Sequence, residues 1–319
     1  MAGRRTTFQT TKARVLGALM AGAARSVFGF ARMLGPERSS DLGAWLARTI
    51  GPYLPQHHIA LGNLQAVFPE MPESERQAIA RGAWANLGRT GAEYAHLGHL
   101  VDYDPDATEA GRVEVVGIEH FLDLRDDGLP GIIFSAHLAN WELPAICAAR
   151  FGLDATAIFR PPNDPAAARL VHEVRSGTMG GLTASSGGGA AFAIAGVLDR
   201  GGHLGQLVDQ HFTRGVETRF MGRPAMSNPL LAKLARHHDC PVHGVRVIRL
   251  PDQRFRVELT PPLDLPRDEE GRIDVAGATQ AMTSVIEGWV REHPEQWLWM
   301  HRRWRVPAPA GAAVSAPAP

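Results

Sequence analysis

The stretch Gly131-Ile132-Ile133-Phe134-Ser135-Ala136-His137-Leu138-Ala139-Asn140-Trp141-Glu142-Leu143-Pro144 decides the fold. Ile132 to Phe134 is a short apolar run and predicts a buried strand. His137 follows at its end, and Glu142 lies five residues further on. On one continuous helix that separation is about 140° of rotation, which drives the two side chains apart. They meet only if His137 lies in a turn and Glu142 in the first turn of the next helix. Asn140 suits an N-cap, and Pro144 is tolerated near a helix start. The expected order is strand, His-bearing turn and helix, with the carboxylate folded back on the imidazole. A general base is held in this way: the acid fixes tautomer and orientation, and the second nitrogen takes the proton. The same residues also suit a plain strand end followed by an acid favoured at a helix N-terminus by the dipole.

Outward from this stretch, strands and helices alternate. Strands are predicted at Val113–Val116, Ile132–Phe134, Ala155–Phe159, Leu182–Ala184, Leu204–Val208, Val242–Ile248 and Phe255–Leu259. Helices are predicted over 142–150, 164–176, 190–200, 228–237 and about 274–292. Asp164-Pro165 reads as an N-cap followed by Pro at the first helical position. This rhythm implies an α/β fold, with a mixed, largely parallel sheet flanked by helices. Ligands in such folds collect beyond the carboxyl ends of strands, where His137 and Asp209 both fall.

The N-terminal third reads as helical. Residues 1–35 carry Arg4, Arg5, Lys12, Arg14, Arg25 and Arg32 and no acid. On a helical wheel Arg14, Arg25 and Arg32 fall within about 20° of one another. Val15, Leu16, Leu19, Met20, Ala23, Val27, Phe30 and Leu34 gather opposite. This is a basic amphipathic helix, ended by Gly35-Pro36 and suited to an anionic membrane surface or to packing on the protein itself. Only ten residues separate Arg14 from Arg25, too few to span a bilayer. No secretory signal stands out. A further helix is expected after Ser40-Asp41, and another over 73–87 behind an acidic start. His57 and His58 have no metal-ligand partner at useful spacing and read as exposed.

Composition closes several alternatives. The formal net charge is zero, which argues against nucleic-acid binding. The two cysteines, Cys147 and Cys240, offer no disulfide framework and fit a reducing compartment. Ser176 to Leu198 is uncharged and long enough to span a membrane, but too rich in Gly for a convincing span. Gly187-Gly188-Gly189 lacks the Gly-Lys-Ser/Thr of a phosphate loop and reads as a turn. A metal site of His203, Asp209 and His211 is disfavoured, because these positions straddle a predicted strand. The division is a basic amphipathic helix at 1–36, one catalytic domain at 37–306, and a Pro/Ala tail at 307–319 expected to be disordered.

Taken together the motifs resemble a known family. His137-x4-Glu142 looks like the His-x4-Asp/Glu signature of glycerolipid acyltransferases. Asn63-Leu64 to Phe68-Pro69, Phe159-Arg160-Pro161, Asp209-Gln210 with Phe220-Met221-Gly222, and Pro294-Glu295-Gln296-Trp297-Leu298-Trp299-Met300-His301-Arg302-Arg303-Trp304 resemble, in order, the blocks of the lipid A late acyltransferases. That resemblance implies transfer of a fatty acyl group from an acyl-carrier protein or coenzyme A thioester to a hydroxyl of a lipid A precursor. It implies a membrane enzyme at the cytoplasmic face of the inner membrane, with no cofactor and no metal. His137 becomes the base and Glu142 the group that orients it. Arg175 matches the family's arginine after the second block. Arg160 and Arg175 are candidates for phosphates, Asp209 for support of the site, and Arg302 or Arg303 for an outward-facing phosphate or membrane contact. Trp297 and Trp299 are expected on one strand face. Other lipid acceptors, such as a phosphatidylinositol mannoside or an ornithine lipid, and a catalytically silent membrane-binding protein stay open at this point.

Overall fold

The computed structural model of the chain describes residues 3–104, 106, 111–162 and 165–304, with side chains described for residue 22 and from residue 26 on, apart from 165–167 and 170. Helices come first: α1 (Gly3–Ile50), α2 (Pro55–Val67), α3 (Glu73–Glu93) and α4 (Leu97–Leu100). Strands and helices then alternate through β1 (Val113–Val116), α5 (Ile118–Asp126), β2 (Gly131–Ser135), α6 (Leu143–Arg150), β3 (Ala155–Phe159), α7 (Pro165–Ser176), β4 (Gly181–Ala184), α8 (Ala190–Asp199) and β5 (His203–Leu207). The chain continues with β6 (Val216–Phe220), β7 (Arg223–Ser227), α9 (Leu230–His238), β8 (Val242–Arg249), β9 (Phe255–Leu259) and α10 (Val275–Glu292). The Asp164 cap and the tail beyond Trp304 lie outside the described residues, as do the side chains of Arg14, Arg25, Leu16 and Leu19.

The fold is α/β. Seven strands form one sheet in the order β1-β9-β8-β2-β5-β3-β4. From β8 to β4 every neighbouring pair is parallel, while β8 and β9 are antiparallel. Strand β2 alternates sides: Ile132 and Phe134 are fully buried on one face, with Ile133 and Ser135 on the other. The chain leaves β2 toward β3 and β4, returns to insert β5 between β2 and β3, and later adds β8 on the other side of β2. Residues beyond the carboxyl end of β2 therefore stand at a crevice between opposite crossovers.

Three features depart from the sequence reading. First, the helical path does not stop at Gly35-Pro36. Gly35 adopts φ 80° and ψ 166°, a kink, and helix resumes at Pro36 rather than after Ser40-Asp41. The second half of α1 then lies against α3 at a close crossing. A Cβ added to Gly88 would stand 2.1 Å from the carbonyl oxygen of Gly43. Second, β6 and β7 form a hairpin that the sequence reading missed. Its turn, Met221-Gly222, has φ of 54° and 72°, the two positive values that a tight two-residue turn needs. Third, His57 is buried and accepts a hydrogen bond from Trp84 Nε1 at 3.3 Å, whereas His58 is exposed as expected.

Candidate active site

The parallel register of β2 and β5 builds the site. Ser135 pairs with Leu207, and the Val208 amide still donates to the Ser135 carbonyl at 3.0 Å beyond the last paired residues. Two residues past each strand, the same register brings His137 opposite Asp209. His137 Nδ1–H donates to Asp209 Oδ1 at 2.8 Å, and the His137 backbone N–H donates to Oδ2 at 2.9 Å. Trp297 Nε1 donates to Oδ2 at 2.8 Å. Asp209 is completely enclosed, which by itself raises a carboxyl pKa. The His137 imidazole and these donors overcome that and hold it well below the usual carboxylate range. With Nδ1–H committed to Asp209, Nε2 is the bare nitrogen. The imidazole remains partly open to solvent, and the amide of exposed Gln210 meets Nε2 at 3.4 Å.

The carboxylate on His137 is thus that of Asp209, which corrects the expectation for Glu142. Helix α6 starts at Leu143, and the Glu142 side chain turns away to a cation on α7. Arg175 Nη2 donates to Glu142 Oε1 at 2.6 Å and Arg175 Nε to Oε2 at 3.0 Å. The Tyr94 hydroxyl and Trp141 Nε1 also donate to Oε1. Burial and then the Glu142 charge push the Tyr94 pKa up, so the phenol stays a donor. Burial opposes the charge on Arg175, but the Glu142 carboxylate more than offsets it and raises the pKa. Arg175, expected on phosphates, is therefore engaged inside the protein. Asn140 does serve the start of α6, accepting from the Glu142 amide at 3.2 Å.

The turn carrying His137 is clamped from two sides. Ala139 holds a positive φ of 46°, unusual for a residue with a Cβ. Its carbonyl accepts from Thr90 Oγ1 at 2.9 Å and Asn86 Nδ2 at 3.2 Å, both on α3. Its amide donates to the Gln296 carbonyl at 3.1 Å, and the Leu298 amide donates to the His137 carbonyl at 3.1 Å. Behind the turn, Arg249 makes a fork onto Glu93 at 2.6 and 3.0 Å, while Asn140 Nδ2 donates to Glu93 at 2.8 Å. Burial would raise the Glu93 pKa, but Arg249 and these donors bring it below its ordinary value.

The C-terminal block is a brace. Trp297 and Trp299 are fully buried, but Trp297 makes only an isolated antiparallel bridge to Leu138 and Trp299 lies in a turn, so they do not share a strand face. Arg303, expected to face outward, is 1% exposed and stacks over Phe220 at 5.2 Å. Its guanidinium donates to the Met226 carbonyl and Ser227 Oγ, each at 2.7 Å, and to the Gln210 carbonyl at 3.4 Å. These are carbonyls and a hydroxyl of β7 and of the loop after β5, so Arg303 joins the hairpin to Asp209-Gln210. Burial lowers its pKa to about 10. Arg302 and Arg160 are exposed. Asn63, from the first motif block, in turn donates to the carbonyls of Trp299 and His301 at 2.9 and 2.8 Å.

An apolar cavity opens beside this turn. Trp141, Glu142 and Arg175 lie at one part of its wall, and Phe121, Phe151 and Leu259 at another. Cys147 also lines it, and burial raises that thiol to about 12, so it behaves as an apolar wall group. Gly205 on β5 faces the same space, where an added Cβ would meet nothing within 4 Å. Among the described residues no group of three His, Cys, Asp or Glu is arranged to hold a metal ion. His203 and Asp209 stand at opposite ends of β5.

The sequence reading missed Tyr94, Asn86, Thr90, Glu93, Arg249 and Gln210. The helical ones carry no local signal, because they act through tertiary contact. Gln210 was readable only as the neighbour of Asp209.

Residues 9–306 match the family model described as bacterial lipid A biosynthesis acyltransferase. The chain is 25% identical over 259 residues to a lipid A biosynthesis lauroyltransferase of Escherichia coli K12, covering 76% of this chain and 77% of that one. It is 24% identical over 277 residues to a lipid A biosynthesis palmitoleoyltransferase of the same organism, covering 83% and 84%. A lipid A biosynthesis acyltransferase of Shigella flexneri aligns with the same identity and coverage.

Proposed function

The chain belongs to the bacterial lipid A biosynthesis acyltransferase family, and we propose that it moves a fatty acyl group from a carrier thioester to a hydroxyl of a lipid A precursor, with His137 as general base. The observation that carries this reading is the buried Asp209 on Nδ1 of His137, which leaves Nε2 to take a proton, while Trp141, whose ring centroid lies 5.2 Å from the imidazole, lines the apolar cavity. The acceptor hydroxyl gives its proton to Nε2 as its oxygen attacks the thioester carbonyl. Asp209 keeps Nδ1 protonated, holds the ring, and stabilises the imidazolium that forms. The imidazolium then protonates the departing thiolate. No protein nucleophile is required. The acyl chain occupies the cavity, whose wall is hydrocarbon apart from a few polar groups near Glu142. Glu142, Arg175 and Tyr94 keep that wall rigid. Exposed Arg160 and Arg302 supply cations for phosphates of the acceptor or carrier. The donor is acyl-carrier protein or acyl-coenzyme A.

We place the enzyme on the cytoplasmic face of the inner membrane. Val27, Phe30 and Met33 of α1 are 67%, 54% and 85% exposed, while Arg32 Nε donates back to the Ala95 carbonyl. Trp45 and Tyr53 are 62% and 86% exposed further along the same region. An apolar, aromatic-edged surface of this kind suits a bilayer interface. Among the described residues, no helix is long and apolar enough to cross a membrane. Removal of residues 1–35 is expected to shift the protein from liposome pellet to supernatant, and unchanged sedimentation would move the contact elsewhere.

The deciding experiment is mass spectrometry of lipid A precursors after incubation with acyl-carrier thioesters. A mass gain of one acyl chain, lost in His137→Ala, is expected. Transfer that survives His137→Ala, or no transfer to any hydroxylated lipid, would overturn the reading.

A further inference from the structure

The reaction creates a charge for which the site must supply donors. When the acceptor oxygen adds to the thioester carbonyl, the carbonyl π pair moves onto its oxygen, and the oxyanion needs hydrogen bonds aimed at it. Most nearby donors are already engaged. Of the six backbone N–H groups from His137 to Glu142, four are used: His137 on Asp209, Leu138 on Ala136, Ala139 on Gln296 and Glu142 on Asn140. Arg175 is forked onto Glu142 and also reaches the Tyr94 hydroxyl at 3.2 Å. The indole N–H of Trp141 goes to Glu142 and that of Trp297 to Asp209.

The Gln210 side chain is different. Nδ1 of His137 carries its proton toward Asp209, so Nε2 presents a lone pair. The Gln210 group facing it at 3.4 Å must therefore be the NH2 end. That amide is exposed and has a second N–H to give. Gln210 follows Asp209 directly, so one short segment serves both ring nitrogens. Its backbone is pinned from behind, because Arg303 donates to the Gln210 carbonyl.

We propose that Gln210 is a catalytic residue whose side-chain amide donates to the oxyanion of the acyl-transfer intermediate, an assignment that rests on the acyltransferase reading above. The acceptor hydroxyl takes the place of the amide at Nε2. The amide, still within reach, turns its N–H groups to the carbonyl oxygen. The acceptor O–H proton passes to Nε2 and the new C–O bond forms. Collapse of the intermediate then breaks the C–S bond, and the thiolate leaves with the proton from Nε2. The products are an ester and a free thiol, so atoms and electrons balance without a further reactant.

The test compares wild type, Gln210→Ala and Gln210→Glu by acyl transfer from an acyl-carrier thioester, with kcat and both KM values measured. Loss of one oxyanion donor is expected to lower kcat by about 10²–10³-fold in Gln210→Ala. The KM for acceptor should stay level or fall, because the free amide competes for Nε2. The melting temperature should not move, since the side chain is exposed. Gln210→Glu keeps the length but loses the donor, so it should be at least as slow. Its carboxylate also favours the imidazolium, moving the acid limb of the pH–rate profile upward. A raised acceptor KM with kcat retained would make Gln210 a ground-state binding group and overturn the proposal. Full turnover in both variants would place the oxyanion on the amides of Asn140 and Trp141. Absence of acyl transfer in wild type would instead overturn the acyltransferase reading itself, and this proposal with it.

Discussion

Two buried carboxylates flank the turn between β2 and α6, and they hold different partners. Asp209 comes from the neighbouring strand and grips the His137 imidazole. Glu142 shares the His137 segment, yet grips Arg175 and Tyr94. Nearness in sequence favoured Glu142 as the partner of His137. The sheet favours Asp209, because parallel strands in register carry their next residues out of the sheet side by side. The difference also divides the chemistry. A carboxylate on a base that changes charge has work in every turnover, whereas one paired with a permanent cation holds structure. On the proposed mechanism, Asp209 belongs to turnover and Glu142 to the wall of the cavity.

That division is broken or upheld most directly by isosteric replacements. His137→Ala is expected to lower kcat by about two to four orders of magnitude. Asp209→Asn should lower it by a similar amount, roughly 10³–10⁴-fold, because an amide neither enforces the tautomer nor stabilises the imidazolium. Glu142→Gln should lose less turnover and more stability, about 3 kcal/mol, since it strips a buried guanidinium of its counter-charge. Turnover is read from single-turnover rates and stability from denaturant midpoints. If Glu142→Gln were slower than Asp209→Asn at unchanged stability, the assignment of roles would have to be exchanged.

The next comparison is between the neighbours Arg302 and Arg303, which the sequence treats alike. Arg303→Met leaves Met226, Ser227 and Gln210 acceptors without their donor and should cost about 2–4 kcal/mol in unfolding free energy. Exposed Arg302→Glu should change it by less than about 0.5 kcal/mol. Its effect should appear as a KM that rises more for an acceptor carrying two phosphates than for one carrying a single phosphate. Equal stability losses at the two positions would mean that the buried placement of Arg303 carries no stabilising role.

What the sequence revealed follows from which interactions are local. The strands at Val113–Val116, Ala155–Phe159 and Phe255–Leu259 were readable to the residue, because apolar runs bounded by turn residues are local facts. The β6–β7 hairpin was not: Glu217 and Arg219 alternate with inward-facing Thr218 and Phe220 rather than forming an apolar run, and its turn depends on Met221 accepting a positive φ. The motif residues were visible as a set, but their pairing was not. Pairing His137 with Asp209 required knowing that β5 inserts beside β2, a fact held in no local pattern. For the same reason Arg303 looked like a surface cation: its burial is created by Phe220, Met226 and Ser227, more than seventy residues away in sequence.

Protons probe the same brace. His301 is half-buried beside Asp209 and Arg303 with its Nε2 enclosed, and this desolvation brings its pKa down to about 4, with the positive neighbours adding to the effect and Asp209 opposing it. The unfolded chain binds a proton at this residue near its ordinary value, so between about pH 6.5 and 4 the unfolded state holds more protons than the folded one. Stability is complete above that window and falls as pH drops through it, by about 3 kcal/mol at most for this group. His301→Asn should flatten the fall when denaturant midpoints are followed from pH 7 to pH 4. An unchanged slope would assign the acid lability to the fully buried histidines, of which His203 and His243 are lowered by burial in the same direction.

The smallest expected effect concerns the apolar part of the cavity wall. Gly205 lies on β5 in the cavity wall, and its missing side chain leaves open space there. Gly205→Val would place a branched side chain there without forbidden backbone angles, since strand geometry suits valine. If the acyl chain lies in this cavity, the longer donors must lose methylene contacts or leave their ends exposed. One or two methylenes in an apolar pocket are worth a factor of about 10–200 in selectivity. Gly205→Val should therefore shift kcat/KM toward shorter acyl thioesters within that range, with His137 chemistry unchanged for the shortest donor. Filling the space should keep or raise the melting temperature. An unaltered donor preference would place the acyl chain outside the cavity, and would detach the apolar side of the site from the Asp209–His137 pair beside it.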